Sequence, residues 1–155
     1  MMKISKSVEQ GIYVILMLAV QREHTPLKSQ LLSQRLEVSD SYLKKILRKL
    51  VIAGLIQSVA SKDGGFVIKQ NVTTITLYDV CAAVDELQTV VMPELHLAAK
   101  IFPGDAAHIR QSEALATAAF TAAHDAYCQS LKRVPLSNFL EADSFETGVV
   151  DWHQL

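Results

Sequence analysis

Residues 39–55, SDSYLKKILRKLVIAGL, carry the pattern from which the rest of the fold can be worked out. Residues three and four positions apart share one side of a helix. A helix here has an apolar face formed by Leu43, Ile46, Leu47 and Leu50. The opposite face carries cations and no acid: Lys44, Lys45, Arg48 and Lys49. Ser39 is suited to cap this helix, and Asp40 lies in its first turn, where a negative charge favours the helix dipole. The stretch therefore predicts a helix that packs by one face and exposes positive charge on the other.

The flanking residues predict two further helices and a hairpin. Residues 5–22 contain the apolar run GIYVILMLAV and predict the central core helix. Thr25 as N-cap and Pro26 at the first helical position would begin a second helix, LKSQLLSQRL, and Gly54 would end the third. Two β-prone runs, LIQSVA and FVIK, flank the turn sequence SKDGG, which is typical of a hairpin. This order is that of a winged helix-turn-helix, in which the hairpin is the wing.

The second half of the chain predicts a long helix outside this module. TLYDVCAAVDEL predicts a fourth helix, residues 87–104 a connecting loop, and residues 105–132 an Ala-rich helix without Pro or Gly. Such a helix has more apolar surface than one small domain can cover, which favours dimerisation; a helix folded back on its own domain is the alternative. Residues 105–140 are thus expected to form a dimerisation helix and docking segment, and residues 141–155 a partly mobile acidic tail.

The predicted fold class is mainly α with a small β-hairpin wing. It consists of a winged helix-turn-helix DNA-binding domain at residues 1–86 and a long C-terminal dimerisation helix. Two cysteines without a CxxC motif indicate neither a zinc ribbon nor a disulfide framework, which fits a reducing cytoplasm. The apolar run at residues 12–20 is too short to span a membrane and lacks a good signal-peptide cleavage site. We therefore expect a soluble, cytoplasmic protein that does not bind membranes.

Charge is divided unevenly along the chain. Residues 1–70 carry 11 Lys/Arg and 5 Asp/Glu, a net charge of +6, whereas residues 71–155 carry 4 and 11, a net charge of −7. This asymmetry favours nucleic-acid binding by the first half. Chance clustering of solvated charge is one alternative, and a winged helix that binds a protein through this surface is another. Steep salt dependence of binding would distinguish a DNA-binding protein from both.

The basic face predicts contacts with double-stranded DNA. A helix fits the major groove and usually inserts its N-terminal end, so Ser41, Tyr42 and Lys44 are expected near base edges. The other cations of this helix would bind phosphates. At the wing, Lys62 would reach a phosphate or the minor groove. The complete set of predicted DNA-binding residues is Ser39, Ser41, Tyr42, Lys44, Lys45, Arg48, Lys49, Lys62, Lys28 and Lys3.

Several short motifs occur together in this sequence. They are Ser41-Tyr42-Leu43, Ala53-Gly54-Leu55, Gly64-Gly65-Phe66 and Ile75-Thr76-Leu77-Tyr78-Asp79-Val80. In combination they resemble the signature of the Rrf-two family of bacterial winged-helix transcription regulators. That family includes the iron–sulfur-cluster regulator and the cysteine-metabolism repressor. The resemblance is good over residues 2–86 and loose beyond. It implies a homodimeric repressor that binds a palindromic operator, with the third helix in the major groove and the wing in the minor groove.

Three positions depart from the family pattern. The wing arginine is replaced by Ala60, which leaves Lys62 as a phosphate contact. The glycine of the turn between the second and third helices is replaced by Glu37, so the turn geometry is expected to differ. The three cysteines of cluster-binding members have no counterpart in residues 90–105. Because thiolates are the ligands of such clusters, no iron–sulfur cluster and no other cofactor is expected.

Without a cluster, the signal is left open between a small-molecule effector, a protein partner and a thiol reaction. Cys81 falls on the apolar face of the fourth helix and is expected to be buried and inert. Cys128 lies four residues after His124, an arrangement that suits redox sensing; a pair without function is the alternative. A metal site would need two more ligands, for which His96 and His108 are only loosely placed, so none is predicted. No nucleophile elbow or phosphate-binding glycine loop is present, so the chain is not expected to be an enzyme.

Overall fold

The computed structural model describes residues 3–85, 87, 91–95, 97–102 and 104–155. His96, considered above as a metal ligand, lies outside the described residues. The chain divides into two compact units. The first unit comprises residues 1–86 together with residues 131–155, and the second comprises residues 87–130. The predicted fold class, mainly α with one hairpin, is confirmed.

Helix α1 (Lys6–Val20) is the central helix of the first unit. Ser5 caps it by accepting a hydrogen bond from the N–H of Val8. From Val14 to Val20 every side chain of α1 is buried, which explains why the sequence is apolar all round the helix. Gly11 allows close packing of helix α4 (Leu77–Val84), because a Cβ there would lie 3.1 Å from methyl groups of Val80 and Val84.

Helices α2 (Ser29–Leu36) and α3 (Asp40–Ile52) form the helix-turn-helix. Ser39 caps α3 as predicted, since its hydroxyl oxygen accepts a hydrogen bond from the N–H of Tyr42 at 3.2 Å. Gly54 follows the end of α3 with φ of +75°. Glu37 adopts the left-handed conformation (φ 55°, ψ 42°) at the end of α2. The turn therefore has the backbone geometry that favours glycine, although the residue is glutamate.

The predicted start of α2 at Thr25 and Pro26 is wrong. The helix begins at Ser29, with Lys28 as an N-cap residue that makes no side-chain capping bond. The residues before it pair with the wing instead. The N–H of Leu27 donates to the carbonyl of Phe66 at 3.0 Å, and the N–H of Phe66 donates to the carbonyl of Leu27 at 2.8 Å. This tertiary pairing holds Leu27 in an extended conformation and delays the helix.

The wing consists of β1 (Ile56–Val59) and β2 (Gly65–Ile68), which pair antiparallel in the register Ile56↔Ile68 to Val59↔Gly65. A Cβ at Gly65 would overlap the backbone of Leu27, so the pairing with Leu27 requires glycine there. The hairpin is thereby attached to the segment that enters α2. The position of the wing relative to the helix-turn-helix is set by backbone hydrogen bonds.

Two later segments complete the first unit. Helix α4 begins with a capping box, in which the N–H of Thr76 donates to Asp79 and the N–H of Asp79 donates to the Thr76 hydroxyl oxygen. Residues 131–140 pack beside it: the N–H of Leu77 donates to the carbonyl of Val134 at 3.0 Å, and Leu136 is fully buried. A 3₁₀ turn spans Leu136–Phe139.

The tail is the largest departure from the expectations. Residues 141–155 were expected to be partly mobile because of their acids, yet they pack on the first unit. The N–H of Arg22 donates to the carbonyl of Val150 at 2.7 Å. Phe145 and Trp152 pack against the hydrophobic core. The expectation was wrong because two aromatic anchors and a set of backbone hydrogen bonds outweigh the local polarity.

The second unit contains α5 (Leu97–Ile101) and most of α6 (Ala106–Lys132). Helix α6 lies where the Ala-rich stretch predicted it, and none of its 27 residues is buried. Within the described ranges, no helix combines the length and the hydropathy that crossing a bilayer requires.

Candidate nucleic-acid interface

Helix α3 is oriented by its buried face. Leu43, Ile46, Leu47 and Leu50 are each at most 2% exposed. All four cations on the other side are exposed: Lys44, Lys45, Arg48 and Lys49. Four buried side chains at helical spacing fix the rotation of the helix about its axis. The positive charge is therefore presented outward by the packing of the core.

The N-terminal end of α3 is attached to the start of α1. Ser41 is exposed, and Tyr42 is 40% exposed. The Tyr42 hydroxyl forms a hydrogen bond with the hydroxyl of Ser7, in the first turn of α1. This bond fixes the Tyr42 ring, which the sequence placed near base edges. Ser39 serves as the cap of α3, a role that leaves its hydroxyl hydrogen available.

Lys44 is paired with an acid of its own helix. Its Nζ atom lies 2.9 Å from Oδ2 of Asp40, one helical turn earlier. The pKa of Asp40 is lowered, first by the hydrogen bond from Lys44 and then by that from the Ser29 hydroxyl, so the carboxylate stays charged. The spacing of four residues was a signal for this pair. Lys44 must share or leave Asp40 to contact DNA.

The remaining cations of α3 differ in their availability. Lys45 and Arg48 make no hydrogen bond or ion pair with any residue that the structure describes. Lys49 donates a hydrogen bond to the carbonyl of Val84, the last residue of α4, at 2.8 Å. A cation at a helix C-terminus stabilises the helix. The ammonium group of Lys49 is thus engaged by the fold, in contrast to its predicted role as a phosphate ligand.

A groove of about 600 Å³ separates the wing from the two helices of the helix-turn-helix. Its lining includes Lys28 and Ser29 at the start of α2, Lys44 of α3, and Ser61 of the wing turn. Because α2 lacks a side-chain cap, its first N–H groups and the positive end of its dipole remain available to an anion. Ser29 and Ser61 were not among the predicted residues, since only the tertiary arrangement brings them here.

Two predicted cations meet at the wing. The Nζ atom of Lys28 donates a hydrogen bond to the backbone carbonyl of Lys62 at 3.1 Å. Lys28 therefore supports the wing turn, whereas the side chain of Lys62 extends from the exposed tip. Gly64 is required in this turn, because a Cβ there would overlap the carbonyl oxygen of Val59. Lys3 is exposed ahead of α1 and forms no polar contact with the described residues.

The sensor candidates lie in different units. In the second unit, Sγ of Cys128 is 3.5 Å from Nε2 of His124, and both side chains are half-buried. Cys81 is buried in the first unit, on α4. Across the described ranges, no group of three or more His, Cys, Asp and Glu side chains is arranged to hold a metal ion.

The basic helix beside a wing, the motifs that resemble a regulator family, and the comparison with known proteins agree. The sequence profile of the Rrf2 family, called Rrf-two above and described as iron-dependent transcriptional regulators, matches residues 4–142. The chain belongs to the Rrf2 family. YffB of Lactococcus lactis is 44% identical to it over 84 residues, and YwgB of Bacillus subtilis is 45% identical over 84 residues. Both relatives are named as HTH-type transcriptional regulators.

The two sequence matches span 54% of this chain and 54% of each relative, about half the length of the curated relatives. The solved structure of CymR, the global cysteine regulator of B. subtilis, has a TM-score of 0.64 at 22% identity. It covers 90% of this chain and 96% of its own. This likeness confirms the fold. The family and the named relatives are transcriptional regulators and not enzymes, in agreement with the prediction.

Proposed function

We propose that this chain is a sequence-specific DNA-binding transcriptional regulator that acts in the cytoplasm as a homodimeric repressor. The observation that carries the proposal is the state of Lys45 and Arg48. Both are exposed on a helix whose opposite face is buried, and neither is neutralised by a described acid. An ordinary solvated helix face mixes both signs of charge, whereas these cations await an anionic partner.

The proposed binding mode follows from the position of α3 and the wing. Helix α3 enters the major groove by its N-terminal end, with Ser41 and Tyr42 beside base edges. Lys45 and Arg48 bind the phosphates that flank the groove. The wing tip carries Lys62 to the neighbouring minor groove or its phosphates. Lys44 exchanges its bond to Asp40 for a DNA group, which costs part of its contribution.

The homodimer is proposed from the surface of α6. None of its residues is buried, and its large apolar side chains include Leu115 at 73% and Phe120 at 58% exposure. Exposed apolar surface of this kind marks an interface. A second copy of the same helix would cover it with two-fold symmetry. Two copies of α3 would then bind a palindromic operator, and occupation of that operator would repress transcription.

We propose that the chain functions without an iron–sulfur cluster, although the family description refers to iron. Such clusters need several thiolate ligands, and the whole sequence contains two cysteines. One of them, Cys81, is buried on α4. The signal would then be a small molecule, a protein partner or oxidation of Cys128, whose neighbour His124 can stabilise a thiolate. Substitution of Cys128 by Ser should remove any response of DNA binding to peroxide while leaving binding itself intact.

The test uses single substitutions and fluorescence anisotropy with DNA from upstream of the gene. Lys45→Ala and Arg48→Ala should each weaken binding by roughly 3- to 10-fold, since each removes a phosphate contact. Lys100→Ala is the matched control, because Lys100 is exposed on α5 in the second unit. Unchanged affinity in both α3 variants would overturn the proposed interface. Equal, salt-insensitive binding to specific and scrambled DNA would favour a protein-binding winged helix.

A further inference from the structure

The C-terminal segment of residues 143–155, here called the tail segment, lies beyond the residues matched by the family profile. It is nevertheless part of the unit that carries the helix-turn-helix. The carbonyl of Val20, the last residue of α1, accepts hydrogen bonds from the N–H groups of Val149 and Val150, both at 3.0 Å. The N–H of Glu23 donates to the carbonyl of Thr147 at 2.7 Å. The backbone of the tail segment is therefore fixed along the end of α1.

A buried glutamine fixes the side chains of the tail segment. Gln21 is 1% exposed, and its Nε2 atom donates to Oγ1 of Thr25 at 2.9 Å and to Oδ1 of Asp151 at 3.2 Å. Its Oε1 atom accepts a hydrogen bond from the N–H of Trp152 at 3.0 Å. The indole N–H of Trp152 donates to the carbonyl of Met17 at 3.0 Å. A buried polar group with all these bonds made specifies one arrangement of the tail segment.

The tail segment also reaches the helix-turn-helix. The guanidinium group of Arg35, in the last turn of α2, donates a hydrogen bond to the carbonyl of Trp152 at 3.0 Å. The next residue, His153, lines a cleft of about 310 Å³ together with Pro26 and Lys28, which precede α2, and Asp63 of the wing turn. The end of the tail segment is thus placed beside the wing and the start of α2, the same elements that border the proposed DNA interface.

The imidazole ring of His153 has a defined orientation. Its Nδ1 atom lies 3.1 Å from Oδ1 of Asp151. The pKa of Asp151 is lowered, first by the hydrogen bond from Gln21 and then by that from the N–H of His153, so the carboxylate is charged and holds the Nδ1–H group. The Nε2 atom makes no hydrogen bond with any described residue, and the side chain is 49% exposed. The outward nitrogen is therefore available to a ligand.

We propose that His153 is a further DNA contact, which binds a phosphate beside the wing through its Nε2–H group when the ring is protonated. This inference rests on the proposed function. Lys28 lines the same cleft, so a phosphate attracted by Lys28 lies within reach of His153. With Nδ1–H held by Asp151, the neutral ring has no proton at Nε2 and cannot donate there. The contact therefore depends on pH.

Charges from three elements face His153. Asp151 of the tail segment and Asp63 of the wing are negative, whereas Lys28 ahead of α2 is positive. The charge of Arg35 is also near, on the carbonyl of the preceding residue. The two acids balance the two cations before DNA arrives, and an approaching phosphate adds negative charge that favours the imidazolium form. Imidazole changes its charge between about pH 5 and 8, so DNA affinity should rise as pH falls through that range.

The experiment compares DNA binding at about pH 6 and about pH 8, the two sides of the range in which imidazole titrates. Wild-type protein should bind more tightly at the lower pH, with a salt slope steeper by about 0.9 per added phosphate contact in each subunit. His153→Ala should remove this increment and weaken binding roughly 3- to 10-fold at the lower pH only, the effect of one lost phosphate contact. His153→Arg should restore tight binding at both pH values. His108→Ala, at an exposed histidine of α6, is the matched control.

The outcomes separate this inference from the function on which it rests. If the wild-type protein binds operator DNA and His153→Ala binds with the same affinity, salt slope and pH dependence, the His153 contact is refuted while the regulator stands. If the wild-type protein binds no DNA at either pH, the proposed function is refuted and this inference with it. Circular dichroism and Trp152 fluorescence of each variant check that the tail segment remains docked, because a merely structural effect would alter these signals.

Discussion

Replacement of Gly148 by alanine should displace the tail segment from α1. Gly148 has φ of +76°, and a Cβ there would overlap the backbone carbonyl oxygen of Gln21. A backbone atom cannot move aside as a flexible side chain can, so the close approach must open. Gly54 offers a matched control, because it has φ of +75° and a Cβ added there would have no described atom within 4 Å. Gly54→Ala therefore has the same backbone strain without the overlap.

The magnitude follows from these two contributions. A left-handed alanine costs about 1 kcal/mol relative to glycine, and this is the full expected loss for Gly54→Ala. The overlap in Gly148→Ala additionally strains the backbone bonds between residues 147–150 and residues 20–23, each of which contributes about 1 kcal/mol. The expected loss of unfolding free energy is thus about 3–5 kcal/mol for Gly148→Ala. The upper limit is the docking free energy of the tail segment, because beyond it the segment detaches.

The assay uses a natural probe. Trp152 is the only tryptophan of the chain, and its ring is held by the bond to the Met17 carbonyl. Its fluorescence reports docking of the tail segment, while far-ultraviolet circular dichroism reports the helices. In urea unfolding of the wild-type protein, the two signals should change together over the first unit. In Gly148→Ala the tryptophan emission should be shifted to the red before urea is added. An unshifted emission, with a loss of stability no larger than in Gly54→Ala, would refute the docked tail segment.

Three further changes probe the turn of the helix-turn-helix, the contact of α3 with α4, and the carboxylate of the tail segment. Glu37→Gly should raise the unfolding free energy by about 0.5–1 kcal/mol, since glycine adopts the left-handed turn without strain; lower stability in urea melts would contradict this reading. Lys49→Ala should lower the unfolding free energy by about 1–2 kcal/mol through loss of its bond to α4, whereas Lys45→Ala should leave it unchanged; the reverse order in the same melts would show that the two roles are exchanged. The pKa of Asp151 is lowered in the folded state, so its contribution to stability is present above the ordinary carboxyl pKa of about 4 and is lost as pH falls through the folded value. The stability gap between the wild-type protein and Asp151→Asn should therefore close in acid, and a gap that widens there would have the wrong sign.

The helix-turn-helix and its wing could be predicted because their signals are local. The spacing of apolar residues in α3 and the Asp-Gly-Gly turn each specify one element without help from distant residues. The start of α2 could not be found in this way, because Leu27 is held extended by Phe66, almost 40 residues later. The tail segment was missed for a similar reason. Its acids dominate the local composition, whereas Gly148 and Trp152 act through contacts with α1.

The candidate DNA-binding residues were predicted as a set, and the structure distinguishes their environments. Sequence spacing placed all four cations of α3 on one side, but it could not show that Lys49 reaches α4. The pair of Lys44 with Asp40 was accessible from the spacing of four residues. Glu37 shows that a left-handed turn can persist where glycine is absent. In each case the missing information was the position of a neighbour from another element.

Whether α3 recognises DNA can be decided by a salt titration of binding to DNA from upstream of the gene, with a scrambled duplex as control. Lys45 and Arg48 in two subunits would neutralise four phosphates, so log Kd should change with log salt concentration by at least about 3.6 units per decade. The specific duplex should bind more tightly than the control at every salt concentration. The Lys45→Ala/Arg48→Ala double variant should lose most of this slope. Binding that is equal for both duplexes and insensitive to salt would contradict the assignment of α3 as a DNA-recognition helix.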